Sequence, residues 1–220
     1  MSWESSALYY RMLNEHVRDR LGGSHSARCL LWSFDFADIA AMQHRNDWDA
    51  AAAALVDAAG RLHRAGADFL VLCTNTMHRL APALEAVPLP LLHIADPTAE
   101  RVRAAGLRRV GLLGTAFTME AAFLRDRLRN PHGLDVVVPD AEDRALVHRV
   151  IYEELVQGRI LPESRDAYRG VIARLAERGA EAVILGCTEI TLLVGPADSP
   201  VPLFDTTSIH AEAAADLALE

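Results

Sequence analysis

Apolar residues follow two patterns along the chain, and these predict two kinds of secondary structure. Short, nearly continuous apolar runs, such as residues 70–72 and 183–185, are typical of strands in a parallel sheet that is buried on both faces. Longer stretches, such as residues 49–64 and 164–178, are rich in helix-forming residues and end close to a glycine, as helices commonly do. The two patterns alternate, which predicts an α/β fold with parallel sheets and right-handed crossovers.

The predicted elements cover almost the whole chain. Helices are expected at residues 4–21, 49–64, 96–105, 140–156, 164–178 and 208–219, with one more between residues 115 and 135. Strands are expected at residues 27–34, 70–75, 88–94, 109–115, 135–138, 183–187 and 201–205. Cys29 falls inside the first of these strands and is assigned to the core. Residues 35–48 are expected to form a connection between elements.

Two segments of the sequence repeat each other, which predicts a duplicated α/β unit. Residues 61–67 and 174–180 share arginine, leucine, glycine and alanine at matching positions, and each leads into an apolar strand that ends at a cysteine. We therefore expect two domains of similar fold, one formed by residues 1–95 and the other by residues 96–207. The last helix, within residues 208–220, is expected to pack back on the first domain.

The two cysteines at these strand ends, Cys73 and Cys187, are the candidate catalytic residues. Open α/β folds bind their ligands at the carboxyl edge of the sheet, and each cysteine is expected at such an edge. Domains related by an approximate twofold axis would place one thiol on each side of a small substrate. Because each cysteine precedes a helix start, we expect backbone N–H groups and the helix dipole to lower the thiol pKa toward neutrality.

The composition excludes several classes of protein. All 22 basic residues are arginine, so neither a Schiff-base lysine for pyridoxal phosphate nor a P-loop lysine is available. A net charge of −8 without a basic stripe disfavours nucleic acid as a partner, and no spacing suits a metal site. No apolar run is long enough to span a membrane, and the three cysteines form no disulfide framework. We therefore expect a cytoplasmic protein that binds neither nucleic acid nor a membrane.

Four motifs together resemble the aspartate/glutamate racemase family. They are Met-Ser-Trp-Glu-Ser at residues 1–5, Leu-Cys-Thr-Asn-Thr-Met-His at 72–78, Leu-Gly-Thr-Ala-Phe-Thr-Met at 113–119 and Leu-Gly-Cys-Thr-Glu-Ile at 185–190. The resemblance covers essentially the whole chain. It implies two pseudosymmetric Rossmann-like (flavodoxin-like) domains with the active site in the cleft between them. It also implies an amino acid as the small-molecule substrate, no cofactor, no metal, and a homodimer.

The resemblance also implies roles for individual residues. One cysteine of each domain would act as acid or base in a two-base racemisation of aspartate, glutamate or a related amino acid. Glu189 and His78 follow the cysteines closely and could orient or polarise the thiols. Arg159 would contact a side-chain carboxylate, at a place where relatives often carry lysine. The remaining substrate-binding candidates are Gln43, Asn75, Thr76, Thr115, Thr118 and Thr188.

Other functions stay open at this stage. Hydantoin racemase, maleate isomerase and arylmalonate decarboxylase are relatives with the same duplicated fold, but two cysteines together with Asn75 and Glu189 favour an amino-acid racemase. A non-catalytic redox or binding protein would instead use Cys73 and Cys187 as a switchable disulfide. Each cysteine taken alone could also be a small core residue, because cysteine is among the residues most often fully buried.

The resemblance is incomplete at the N-terminus. Relatives carry a strand and a Gly-Gly turn directly before the Met-Ser-Trp-Glu-Ser segment, whereas this sequence begins at that methionine. We therefore expect the first domain to lack its central first strand, and the functional protein to have residues upstream of Met1. The matching strand of the second domain, residues 109–115, is present in full.

Overall fold

The computed structural model describes residues 1–220, and these residues form two compact units. The first consists of residues 1–93 and 211–220, and the second of residues 94–210. Both are built from helices and parallel strands, so the predicted α/β fold with parallel sheets is confirmed. None of the helices combines the length and the apolar character that a membrane span requires.

The first unit combines a small sheet with four helices. The helices are α1 (Trp3–Leu21), α2 (Phe36–His44), α3 (Trp48–Arg64) and α4 (Ala81–Leu84), and the strands are β1 (Leu70–Val71) and β2 (Leu91–Leu92). β1 and β2 pair in parallel, and a 3₁₀ turn, Thr76–Leu80, follows β1. Residues 211–220 join this unit, where Asp216 forms hydrogen bonds with His16 and Arg20 of α1.

The second unit contains a larger parallel sheet. Its strands are β3 (Arg109–Gly114), β4 (Asp135–Val137), β5 (Ala182–Gly186) and β6 (Leu203–Asp205), and they lie in the order β4-β3-β5-β6. Its helices are α5 (Ala95–Ala104), α6 (Ala116–Glu120), α7 (Ala122–Arg129), α8 (Ala141–Glu153), α9 (Pro162–Glu177) and α10 (Ile190–Leu193). The last helix, α11 (Thr206–Ala218), begins in this unit and continues into residues of the first.

Alternate residues of the two central strands fill two separate cores. Val110, Leu112 and Ile184 pack with residues of α5 and α7, whereas Leu113 and Leu185 pack with residues of α8 and α9. All five side chains are buried. Helices therefore cover both faces of this sheet, which explains why β5, and β3 after the exposed Arg109, are continuously apolar rather than alternating.

One predicted strand is absent from the first unit. Residues 25–35 have no regular secondary structure, and the side chains of Leu30, Leu31 and Trp32 are exposed. The prediction of a strand at residues 27–34 is therefore wrong, and so is the assignment of Cys29 to the core, because this cysteine is exposed. A strand needs hydrogen bonds to a neighbouring strand, and the sheet of this unit consists of β1 and β2.

The predicted connection at residues 35–48 contains a helix, α2. Asp35 caps it, because its Oδ1 accepts a hydrogen bond from the N–H of Ala37 at 2.9 Å. The helix has nine residues and buries only Ile39 and Gln43. A helix this short, with so few buried positions, produces too weak a periodicity for the apolar pattern to predict it.

Candidate active site

Cys187 lies directly after β5, where the carboxyl end of the strand turns toward α10. Its Sγ donates a hydrogen bond to Oε2 of Glu189, and the two atoms are 3.0 Å apart. Its carbonyl accepts a hydrogen bond from the N–H of Ile190 at 3.1 Å, which closes the turn. The turn therefore holds a thiol and a carboxylate side by side.

The surroundings of Cys187 favour the neutral thiol. Burial raises the pKa of this thiol well above its ordinary value, because a thiolate would lose its hydration. The charge of Glu189 raises the pKa further by repelling the thiolate, and the hydrogen bond from the thiol to this carboxylate acts in the same direction. These effects together favour the neutral, protonated form of the Cys187 side chain.

Thr115 and Thr118 lie at the same sheet edge as Cys187. β3 and β5 pair in a register that sets Gly114 opposite Gly186, the residue before the cysteine. Oγ1 of Thr115 accepts a hydrogen bond from the N–H of Thr118 at 3.3 Å, and the two hydroxyl oxygens are 3.2 Å apart. The structure thus brings two predicted substrate-binding residues next to the strand that carries the thiol.

Close packing at this edge predicts that Gly186→Ala destabilises the protein. The added Cβ would lie 2.9 Å from the carbonyl oxygen of Leu113, a backbone atom that cannot move without disturbing the sheet. We expect the free energy of unfolding, measured in urea, to fall by about 1–3 kcal/mol. Gly195→Ala is the matched control, because nothing lies within 4 Å of its added Cβ. Equal losses in the two variants would contradict the packing argument.

Cys73 follows β1, with one residue between the strand and the cysteine. Its carbonyl accepts hydrogen bonds from the Ser5 hydroxyl at 3.1 Å and from the Met1 amino group at 2.6 Å. Its Sγ lies 3.8 Å from the carbonyl oxygen of Val71. The Met-Ser-Trp-Glu-Ser motif therefore packs against the turn that carries this thiol.

The turn after Cys73 buries the predicted residues of the first unit. Asn75 and Thr76 are both buried and lie at the start of the 3₁₀ turn Thr76–Leu80. Gln43 of α2 is buried as well, and its Nε2 donates to Sδ of Met77 at 3.1 Å. The structure thus brings Gln43, Asn75 and Thr76 together around one turn.

His78, the predicted modulator of this cysteine, is tied to the backbone. Its Nδ1 lies 2.7 Å from the carbonyl oxygen of Thr74, so this nitrogen carries the proton and donates it. Its ring packs against that of His93, with the centroids 4.5 Å apart. His78 therefore fixes the turn directly after the thiol.

Two predicted substrate-binding residues of the second unit make contacts of different kinds. Oγ1 of Thr188 lies 3.1 Å from Oγ1 of Thr207, a hydroxyl pair beside the cysteine. Arg159 lies at the surface after α8, and its guanidinium donates to the carbonyl of Glu153. No group of three or more His, Cys, Asp or Glu side chains is arranged to hold a metal ion.

Burial also raises the pKa of Cys73, to about 11, and the Met1 ammonium opposes only part of this effect. The prediction that helix starts lower both thiol pKa values is therefore wrong. The segments that follow the two cysteines are short: the 3₁₀ turn has five residues and α10 has four. Because the dipole of such short segments is small, the loss of hydration decides the direction of both shifts.

The chain matches the family model described as Asp/Glu/Hydantoin racemase over residues 1–214. The chain belongs to this racemase family. The predicted family and the predicted class of enzyme, an isomerase, are thereby confirmed.

Relatives of this racemase include two solved structures that are similar over nearly their full length. A protein of Yersinia pestis, described as a candidate Asp/Glu racemase, is 54% identical with a TM-score of 0.94, and the match covers 100% of this chain and 96% of that one. An aspartate racemase homologue from Pyrococcus horikoshii OT3 is 33% identical with a TM-score of 0.85, covering 99% and 95%. A broad specificity amino-acid racemase of Bacillus subtilis is 25% identical over 167 residues, which are 76% of this chain and 71% of that protein.

The structure of this racemase also shows two residues near Cys187 that the sequence alone did not indicate. His148 and Tyr152 lie four residues apart on α8, and their ring centroids are 4.7 Å apart. Nδ1 of His148 accepts a hydrogen bond from the N–H of Ala116 at 3.2 Å. Burial raises the pKa of Tyr152 to about 12, and the charge of Glu189, with that of Cys187 when it is ionised, adds to this shift. Two aromatic rings at helical spacing are the signal that could have indicated them.

Proposed function

We propose that this protein is a cofactor-independent racemase of aspartate or glutamate, with Cys73 and Cys187 as its two acid–base groups. The observation that carries the proposal is the thiol–carboxylate pair, in which Sγ of Cys187 lies 3.0 Å from Oε2 of Glu189. The family match supports the reaction class. The substrate class is supported by relatives described as an aspartate racemase homologue and as a broad specificity amino-acid racemase.

The proposed mechanism moves one proton off Cα and another onto it. Racemisation without an electron-sink cofactor requires a base that removes the Cα proton and an acid that delivers a proton to the opposite side. The thiolate of Cys73 takes the Cα proton, and the electron pair of the broken C–H bond stays on the substrate. The thiol of Cys187 then donates its proton to Cα and becomes a thiolate. In the reverse direction the two cysteines exchange roles.

Glu189 assigns the starting roles in this mechanism. Its charge raises the pKa of Cys187, whereas Cys73, with a pKa of about 11, has no carboxylate at its thiol. We therefore assign the first deprotonation to Cys73, because no neighbouring carboxylate raises its pKa. Enzymes commonly separate an acid from a base by placing the two groups in environments that give them different pKa values.

We propose that hydroxyl and amide side chains near the two thiols hold the substrate. Thr115 and Thr118, at the sheet edge of Cys187, would bind the α-carboxylate, whose oxygens gain charge when the Cα proton leaves. Arg159 would contact the side-chain carboxylate, since a guanidinium binds carboxylates with two parallel hydrogen bonds. The other proposed contacts are Gln43, Asn75, Thr76 and Thr188.

The raised thiol pKa values predict that racemisation accelerates with pH. The active form needs one thiolate, and a thiol with a pKa of about 11, such as that of Cys73, is almost entirely protonated at pH 7. Its thiolate fraction rises about tenfold per pH unit below the pKa, so we expect kcat/KM to rise about tenfold between pH 7 and pH 8. Initial rates at constant ionic strength measure this slope. A flat profile over the same interval would contradict the assignment.

A substrate panel tests the proposal. The purified protein, dialysed against a chelator, is incubated with the separate enantiomers of aspartate, glutamate and alanine, and chiral chromatography follows their interconversion. We expect aspartate or glutamate to reach a racemic mixture from either enantiomer. Activity that required added pyridoxal phosphate or a metal would contradict the proposal.

Adding a 5-substituted hydantoin and maleate to the panel tests the alternatives. Turnover restricted to a 5-substituted hydantoin or to maleate would replace the proposed substrate with that of another enzyme of this fold. If nothing turned over, and an oxidant removed two titratable thiols reversibly, a redox protein would be favoured instead. The panel therefore distinguishes the three classes.

We also propose that the protein is a homodimer that acts in the cytoplasm. Trp3 and Tyr10 lie seven residues apart on α1 and are 67% and 55% exposed, which gives an apolar stripe that a second copy could cover. Two acid–base thiols must stay reduced, and the cytoplasm provides that condition. Light scattering after gel filtration is expected to give twice the mass of the chain. A monomer at micromolar concentration would contradict the dimer.

A further inference from the structure

Helices α8 and α9 are joined by residues 154–161, and a buried hydrogen bond closes the base of this turn. Oγ of Ser164 donates to Oε2 of Glu154 across 2.5 Å, and both residues are buried. Nη1 of Arg149 lies 3.8 Å from the other carboxylate oxygen. A buried carboxylate needs such donors, because its lost hydration is otherwise not compensated. The pair therefore holds the start of α9 against the end of α8.

The backbone of Glu154 holds the same turn. Its carbonyl accepts hydrogen bonds from the N–H groups of Gln157 at 3.0 Å and Arg159 at 2.9 Å. Gly158, between them, has a left-handed φ of 71°, which lets the chain reverse within a few residues. The guanidinium of Arg159 donates to the carbonyl of Glu153. Arg159 is thus fixed, at its backbone and its side chain, by the residues around the buried carboxylate.

The turn also packs against the segment that follows the cysteine of the second unit. The 3₁₀ turn Leu155–Gln157 contacts α10, which begins directly after Glu189. Arg165 of α9 donates from Nε to the carbonyl of Leu193, at the end of α10, across 2.7 Å. A shift at the start of α9 would therefore disturb the turn and its packing on α10 together.

We propose that Glu154 and Ser164 are positioning residues, which fix the turn that carries Arg159 and so set the preference for amino acids with a carboxylate side chain. This inference rests on the proposed function. Stability alone does not account for the pair, because apolar residues of similar size would stabilise two packed helices as well or better. The buried pair instead holds the turn, and with it the guanidinium of Arg159, in one defined geometry.

Steady-state kinetics of Ser164→Ala with aspartate and glutamate test this inference. Loss of the hydroxyl leaves the Glu154 carboxylate with one donor fewer, so the turn loosens. We expect KM to rise about tenfold while kcat stays within about twofold, because the thiols are unchanged. Tyr168→Phe is the matched control, since it removes a buried hydroxyl that joins the same helices, 3.0 Å from the carbonyl of Val147. We expect its KM to stay at the wild-type value.

A double-mutant cycle with Arg159→Met separates positioning from a general structural effect. If Ser164 acts through Arg159, Ser164→Ala raises KM in the wild-type background and not in Arg159→Met. Glu154→Gln keeps an acceptor oxygen for the Ser164 hydroxyl, so we expect a smaller rise in KM than for Ser164→Ala. Equal effects of Ser164→Ala on KM in the two backgrounds would overturn the inference. So would a rise in KM in Tyr168→Phe as large as that in Ser164→Ala.

The inference and the proposed function fail in different ways. A wild-type protein that racemises no acidic amino acid overturns the proposed function, and the inference with it. If the wild type is active and KM rises in Arg159→Met but not in Ser164→Ala, only the positioning roles are overturned. An unchanged KM in Arg159→Met also overturns the inference and leaves the cysteine chemistry intact.

Discussion

Replacement of either Cys73 or Cys187 by serine is expected to lower net racemisation of aspartate or glutamate about a thousandfold or more. A serine hydroxyl is a far weaker acid than a thiol, so it supplies almost no anionic base at neutral pH. Each variant keeps one thiol, but racemisation needs a base and an acid that act on opposite sides of Cα. The initial rate at which the enantiomer forms, measured by chiral chromatography, gives the size of the loss.

Cys29→Ser is the matched control for both variants. Cys29 is exposed and lies in an irregular segment, so we expect this variant to keep the wild-type rate. Circular dichroism and urea unfolding of all three variants check that each is folded. Full turnover by Cys73→Ser or by Cys187→Ser would show that the replaced cysteine is structural.

Glu189→Gln is expected to make Cys187 more reactive toward iodoacetamide, by about tenfold or more at pH 8. The carboxylate repels the thiolate and so raises the pKa of Cys187. The amide removes the charge and keeps an oxygen for the S–H group, so the pKa falls and the thiolate fraction at a given pH rises. Alkylation follows that fraction. The rate is measured in a Cys29→Ser, Cys73→Ser background, where Cys187 is the single thiol.

Glu100→Gln is the matched control for this charge change. It removes one negative charge at an exposed position of α5, and we expect no change in the alkylation of Cys187. In Glu189→Gln the pH profile of alkylation should move to lower pH. Slower alkylation after Glu189→Gln would contradict the account, because it would show that the carboxylate removes the thiol proton rather than retaining it on sulfur.

The sheet of the second unit follows closely from the sequence. The predicted strands at residues 109–115 and 183–187 coincide with β3 and β5 to within one residue at each end. Helices cover both faces of these strands, so their buried residues form continuous apolar runs, and such runs are easy to recognise in a sequence. Helices α1 and α3 were equally predictable, because they are long and have polar caps at Ser2 and Asp47.

The first unit shows why an apolar pattern is not sufficient. Residues 27–34 contain a run as apolar as that of a strand, yet they are irregular, and Leu30 and Leu31 are exposed. Whether such a run becomes a strand depends on a neighbour that offers hydrogen bonds. That neighbour is a property of the tertiary structure, and the local pattern does not contain it.

The sequence predicts where several candidate residues lie in the fold but not their electrostatics. Thr115 and Thr118 lie at the sheet edge of Cys187 because the carboxyl ends of neighbouring parallel strands meet there, and the strand pattern is enough to predict this. The direction of the thiol pKa shifts depends on burial, which a sequence does not show. The contact between Glu154 and Ser164 depends on a chain reversal at a turn, and spacing alone gives no sign of it.

Racemisation in D₂O, started from each pure enantiomer, tests the two-thiol mechanism most directly. In the proposed mechanism, one thiol removes the Cα proton, and the other delivers a deuteron taken up from solvent. The two-thiol mechanism predicts that the product enantiomer carries deuterium at Cα from the first turnover, while substrate recovered at early times stays unlabelled. Product without deuterium would contradict the account. So would label that enters recovered substrate as fast as product, because Cys73 and Cys187 would then not act on opposite sides of Cα.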